Sequence, residues 1–189
     1  MSNAGGFKSL NRYYDMLAGN TVWNPWEPDG AFDALATVTV GATSVASIEF
    51  AGIPQGYKHL QIRALQITSF NAVDPKFQVN NDIGANYYMH SIYNTNPTVS
   101  TYTQATTGIS YCYNESSFPG VAIIDLLDYS STTKNKTFRM MTGYDANGSG
   151  YLFYRSGAWF NTSAVTSLKF NAAGQNFQQY TQYSLYGVK

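Results

Sequence analysis

The feature that most restricts this chain is a succession of short segments, rich in β-branched and aromatic residues, that begins at Phe32 and runs to the C-terminus. Leu35-Ala36-Thr37-Val38-Thr39-Val40 and residues 45–50, 59–67 and 77–79 are too short for stable helices and are separated by Gly, Pro and Asn. The pattern returns at 87–93, 109–113, 121–127, 137–144, 151–160, 165–170 and 180–188. Side chains branched at Cβ suit a pleated surface, and the residues between them are those that make turns. About ten or eleven such strands with no helical periodicity among them predict an all-β fold. An antiparallel β-sandwich is the expected architecture, with a jelly roll as its form.

Local chemistry refines this outline. Asn147-Gly148 lies between two apolar runs, and both residue types tolerate positive φ, so a hairpin is predicted there. Val45-Ala46-Ser47-Ile48-Glu49-Phe50 echoes Val165-Thr166-Ser167-Leu168-Lys169-Phe170, which reads as two similar strands rather than a duplicated domain. Residues 95–107 are mostly polar and are read as a loop.

The first thirty or so residues are of a different kind, so the chain divides into an N-terminal anchoring arm, 1–31, and a β-sandwich domain, 32–189. Phe7, Leu10, Tyr14 and Leu17 recur at spacings of three and four, which places them on one face of a short helix ended by Gly19. A helix of about ten residues is marginal alone in water and must lean on something. Trp23-Asn24-Pro25-Trp26-Glu27-Pro28 follows, extended because of its prolines and carrying two large apolar rings with no local core. Phe7, Leu10, Tyr14, Leu17, Trp23 and Trp26 are therefore the expected partner-docking residues.

Composition removes several function classes. Lys plus Arg and Asp plus Glu number 11 each, so there is no positive excess to neutralise phosphates, and nucleic acid is not an expected partner. No apolar run approaches the ~18 residues that span a bilayer, and no membrane association is expected. Met1-Ser2-Asn3-Ala4-Gly5-Gly6 lacks the basic and apolar regions of a secretory signal. Charged residues make up only 12% of the chain, so Asn, Gln, Ser, Thr and Tyr must cover the surface, which favours association over colloidal independence.

A search for chemistry finds little. His59 and His90 sit in strand-like segments without the cluster of ligands that a zinc site needs. Asp125 and Asp128, with Glu115 and Asp145, are the carboxylates that a glycosidase would have to draw on, and no pairing across a cleft can be read from their spacing. Asp145-Ala146-Asn147-Gly148-Ser149-Gly150 begins like a calcium loop, but Ser156 stands where the bidentate Glu belongs. Cys112 has no partner for a disulfide and reads as a small buried hydrophobe. The expectation is a non-enzymatic protein with no catalytic residues, no metal and no cofactor.

Phe32-Asp33-Ala34-Leu35-Ala36-Thr37-Val38-Thr39-Val40 and Gly52-Ile53-Pro54-Gln55-Gly56-Tyr57-Lys58-His59-Leu60-Gln61-Ile62-Arg63 together resemble the opening of a group of tailed-bacteriophage virion structural proteins. Gly143-Tyr144-Asp145-Ala146-Asn147-Gly148-Ser149-Gly150, Trp159-Phe160-Asn161-Thr162 and Tyr183-Ser184-Leu185-Tyr186-Gly187-Val188-Lys189 fit the same picture, so the resemblance spans 32–189. It implies a β-sandwich that decorates a particle or belongs to a tail fibre, made in the host cytoplasm and carried on the virion. The implied partners are further copies of the chain, as a homotrimer, and other virion proteins, the major capsid protein first among them. The chain has no heptad array, collagen repeat or β-helix period with which to build a fibre shaft, which tilts the expectation toward a capsid decoration or cement protein. The alternative is a receptor-binding module for host-surface carbohydrate, with Tyr87, Tyr88 and Tyr93 as ligand-facing aromatics.

Overall fold

The computed structural model of the chain describes residues 31–69, 75–95, 98–112 and 118–189. The expected arm, with its helix, its docking residues and both of its tryptophans, lies outside these residues, as does Glu115.

The described chain is all β, in two antiparallel sheets. Its strands are β1 (Phe32–Thr39), β2 (Ser47–Ala51), β3 (His59–Gln66), β4 (Lys76–Val79), β5 (Tyr87–Thr95) and β6 (Thr98–Thr106), followed by β7 (Ile109–Ser110), β8 (Gly120–Leu127), β9 (Lys136–Asp145), β10 (Gly150–Trp159), β11 (Ser167–Asn171) and β12 (Gln182–Val188). The large sheet has the order β1-β12-β3-β8-β9-β10-β5-β6, and the small one β2-β11-β4-β7. The two echoing segments are direct neighbours: Ile48 pairs with Phe170 and Phe50 with Leu168 across β2 and β11.

One expectation is corrected. The polar stretch read as a loop is β6, paired with β5 from Tyr87 opposite Thr106 to Thr95 opposite Thr98. Thr, Tyr and Val favour the pleated conformation, but most β6 side chains are not buried, so no apolar alternation marks the strand.

The sheets pack through interleaved aromatic side chains. Phe77 of the small sheet meets Phe138 of the large one edge to face, with centroids 4.9 Å apart, and Phe170 lies 4.8 Å from Tyr183. Leu60, Ile62, Ile124, Leu126, Met140 and Leu185 of the large sheet join them in one buried cluster. Burial of each such side chain contributes roughly 1.5–3 kcal/mol. Some polar atoms in this layer find partners locally: the Tyr183 hydroxyl bonds Tyr111 and donates to Gln66 Oε1 at 2.6 Å. Lys136, fully buried, donates to the carbonyls of Ser131, Lys134 and Thr162. Loss of hydration pulls the Lys136 ammonium below its ordinary pKa.

The predicted hairpin is present. Asn147 and Gly148 have φ of 56° and 107°, and Ala146 N–H donates to the Ser149 carbonyl at 2.7 Å between β9 and β10. Cys112 is buried.

Candidate protein-docking face

In an antiparallel sheet with one face on the core, alternate residues should be polar. The centre of the large sheet departs from that rule. In β8, Ala122, Ile124 and Leu126 point into the core, while Val121 and Ile123 occupy the opposite, outward positions. In β9, Met140 points inward and Met141 outward. Leu152 and Tyr154 of β10, Ile92 of β5, Val99 of β6 and Leu65 of β3 also face out.

The register gathers these side chains into two adjacent rows. Leu65 pairs with Val121, Val121 with Gly143, Gly143 with Leu152, Leu152 with Asn94, and Asn94 with Val99. Beside this row, Arg63 pairs with Ile123, then come Met141, Tyr154, Ile92 and Thr101. At ~4.8 Å between strands the band is about 24 Å long. Its eight apolar side chains are 38% (Ile123) to 66% (Val99) exposed. Set side by side in two rows, they form a contiguous exposed apolar patch of the kind that marks interaction sites.

Gly143 gives the band its relief. A Cβ there would lie 2.5 Å from the Tyr151 carbonyl oxygen, so the close approach of β9 and β10 requires glycine. Gly143 lies in the lining of a trough of about 650 Å³ that Val121, Ile123, Met141 and Leu152 also line. One side of the band is polar: Gln61, Asp125, Arg139, Ser156 and His90 form the next row. There Gln61 donates to Asp125 at 2.8 Å and accepts from Arg63 Nε at 2.9 Å, while the Arg63 guanidinium lies over the rings of Tyr186 and Phe32. The band is thus bordered on this side by a polar row whose Gln61 hydrogen-bonds both Asp125 and Arg63.

A second concavity lies at the end of the β9–β10 hairpin. Asn94, Tyr144, Asp145, Tyr151 and residues 148–150 line a cleft of about 320 Å³. Tyr144 and Tyr151 lie ring against ring, with centroids 5.6 Å apart.

The three tyrosines expected to face a ligand do not share a surface. Tyr87 is 1% exposed and lies against Trp159; its hydroxyl accepts from Val79 N–H at 3.0 Å and bonds the Asp82 carbonyl at 2.9 Å. Burial pushes its pKa up to about 12. Tyr93 also points inward, stacked on Phe153, whereas Tyr88 points outward beside His90. Tyr87 therefore has no face to offer a sugar. The other candidates are dispersed: Asp125 is held by Gln61, and Asp128 pairs with Lys134 at 2.9 Å. That hydrogen bond and charge hold the Asp128 carboxyl below its usual pKa. His59 Nδ1 accepts from Asp128 N–H at 3.0 Å. Among the described residues no group of three or more His, Cys, Asp and Glu is placed to hold a metal, and no helix is long and apolar enough to cross a membrane.

The apolar band was not foreseen, although the sequence carries a signal for it. Gly120–Leu127 is apolar at both parities except for Asp125, and Met140-Met141 repeats this across the strand pair. A strand apolar on both faces needs a cover on both.

Compared with models of known protein families and with curated proteins, the chain matches none.

Proposed function

We infer that this chain is a non-catalytic structural protein that works by packing against other protein, and that the outward band of the large sheet is buried between copies of the chain. The band carries this reading. A contiguous band of eight exposed apolar side chains is costly to leave in water, and patches of this kind mark interaction sites. The occupant is a second copy, because a chain with equal numbers of acidic and basic residues meets no net repulsion from itself. A trimer is the proposed order, with one half of the elongated band set against the other half on the next copy.

The setting we propose is a phage particle, with the chain as a decoration or cement protein on the virion and residues 1–31 docking on the major capsid protein. What supports this setting is the run of sequence phrases resembling virion structural proteins. A jelly-roll reading of the sandwich is supported by strand order: the small sheet runs β2-β11-β4-β7, and β3, β10, β5 and β6 form the opposing set once the β8–β9 pair is taken as an insertion. Electron microscopy of intact particles labelled with an antibody to the chain tests the setting. Label on the head agrees with decoration, whereas particles that never carry label overturn the virion reading.

The hairpin cleft favours one second reading, recognition of host-surface carbohydrate, because the partly exposed Tyr151 ring beside an amide and a carboxylate suits a sugar's apolar face and hydroxyls. Here Tyr151, Asn94 and Asp145 would replace Tyr87. Glycan-array binding that Tyr151→Ala abolishes would support it, and no signal above background would discard it.

A further inference from the structure

We propose that β6 is a strand-addition edge and that its partner is β6 of a second copy, paired antiparallel about a two-fold axis. This goes beyond burial of the apolar band and stands on the edge alone.

A sheet edge carries unpaired backbone donors and acceptors, and proteins that keep such edges single guard them with charge, bulges or brevity. Three of the four edges here are guarded. β1 has a bulge between Ala34 and Ala36, and its Asp33 pairs with Lys189 at 3.1 Å. β2 carries Glu49, and β7 has only two residues, both buried. β6 is the exception. Among the described residues it ends the large sheet and pairs only with β5, and it runs for nine residues, Thr98–Thr106, without a charge, a proline or a glycine. Most of its side chains are exposed, Tyr102 by 42% and Val99 by 66%.

The strand is also complementary to itself. In the antiparallel register that pairs all nine residues, Tyr102 sits on the axis, Thr101 faces Thr103, Ser100 faces Gln104, Val99 faces Ala105, and Thr98 faces Thr106. The Tyr–Tyr and the two kinds of Thr–Thr pair are of types that stabilise cross-strand contacts, and no two like charges meet. A two-fold contact of this kind is closed, because each copy offers the same strand to the other. The seam is about 30 Å long at ~3.4 Å per residue. It joins two large sheets into one and leaves both apolar bands on the same side.

The test uses the full chain. Cys112 is fully buried, so a cysteine placed at Tyr102 is the accessible thiol on this edge. Tyr102→Cys, treated with a short bis-maleimide crosslinker, should give a covalent dimer, including in a Leu152→Lys background where the apolar band is disrupted. Ala36→Cys, on the guarded β1 edge, should not. Tyr102→Lys, which sets two ammonium groups against each other on the axis, should weaken self-association about tenfold or more while leaving the far-ultraviolet circular dichroism unchanged. Folded Tyr102→Cys protein that stays uncrosslinked, or Tyr102→Lys protein that associates as tightly as the parent, would overturn the proposal. Crosslinking of Tyr102→Cys that is lost with Leu152→Lys would assign the association to the band and equally overturn it.

Discussion

Leu152 lies directly across from Gly143 on the outward face of the large sheet, and the space above that glycine is the floor of the apolar trough. The pair couples packing to surface shape, since a Cβ on Gly143 would strike the Tyr151 backbone carbonyl rather than a movable side chain. Gly143→Val should therefore destabilise the domain by about 1–3 kcal/mol, the usual cost of forcing extra atoms into a packed site. A lowered urea midpoint with an unchanged slope would show this; an unchanged midpoint would mean that β9 and β10 can separate without cost.

Asp82 ties the loop after β4 to Trp159. Its carboxylate accepts from the indole Nε1 at 2.7 Å, from Asn86 at 2.9 Å and from Gly84 N–H at 2.8 Å. The Trp159 bond is the main cause of a lowered carboxyl pKa, followed by Asn86. A depressed folded-state pKa means that this stabilisation is complete above the unfolded value, ~3.9, and is lost as the pH falls from there through the lower folded value. Asp82→Ala should cost about 1–3 kcal/mol at pH 7 because it strands a buried indole donor. Thermal scans against pH should show the variant and parent converging in acid, and a constant difference down to the lowest pH would refute the assignment.

Tyr87 and Tyr183 oppose ionisation from the other end of the pH scale. Burial pushes Tyr87 up to about 12 and raises Tyr183 well above its ordinary value. A raised phenol pKa favours the folded state fully below the unfolded value of ~10, and that contribution is lost as the pH climbs through the folded value. Alkaline titration followed at 295 nm should thus show a late group of tyrosines that ionise together with unfolding between about pH 10 and 12. Tyr87→Phe should move that transition to higher pH relative to its own neutral stability. A single smooth titration of every tyrosine, with no unfolding step, would contradict the burial.

Much of the fold was legible because its signals are local. Segments such as 59–67 and 121–127 declare themselves by β-branched content and bounding turn residues, and Asn147-Gly148 by its tolerance of positive φ. β6 was hidden because an exposed edge strand such as Thr98–Thr106 lacks the apolar alternation by which strands are recognised. The docking face was harder still. Val121, Ile123, Met141, Leu152, Tyr154 and Ile92 come from four strands, and only the register, with Ile123 beside Met141 and Tyr154 beside Ile92, makes them one surface. The placing of Tyr87 in the core has the same origin, because alternation shows that Tyr87 and Tyr88 face opposite ways without showing which way is in.

The apolar band is most directly tested by sedimentation equilibrium of the full chain beside a Met141→Lys, Leu152→Lys double variant. Both positions are more than half exposed, so the changes should leave the fold intact, at a cost within about 0.5 kcal/mol. The parent should sediment as a multiple of its 20.9 kDa mass, and the variant, unchanged in circular dichroism, as a smaller assembly. A parent that is monomeric at all concentrations, or a variant of the same mass as its parent, would show that the band is not buried between copies.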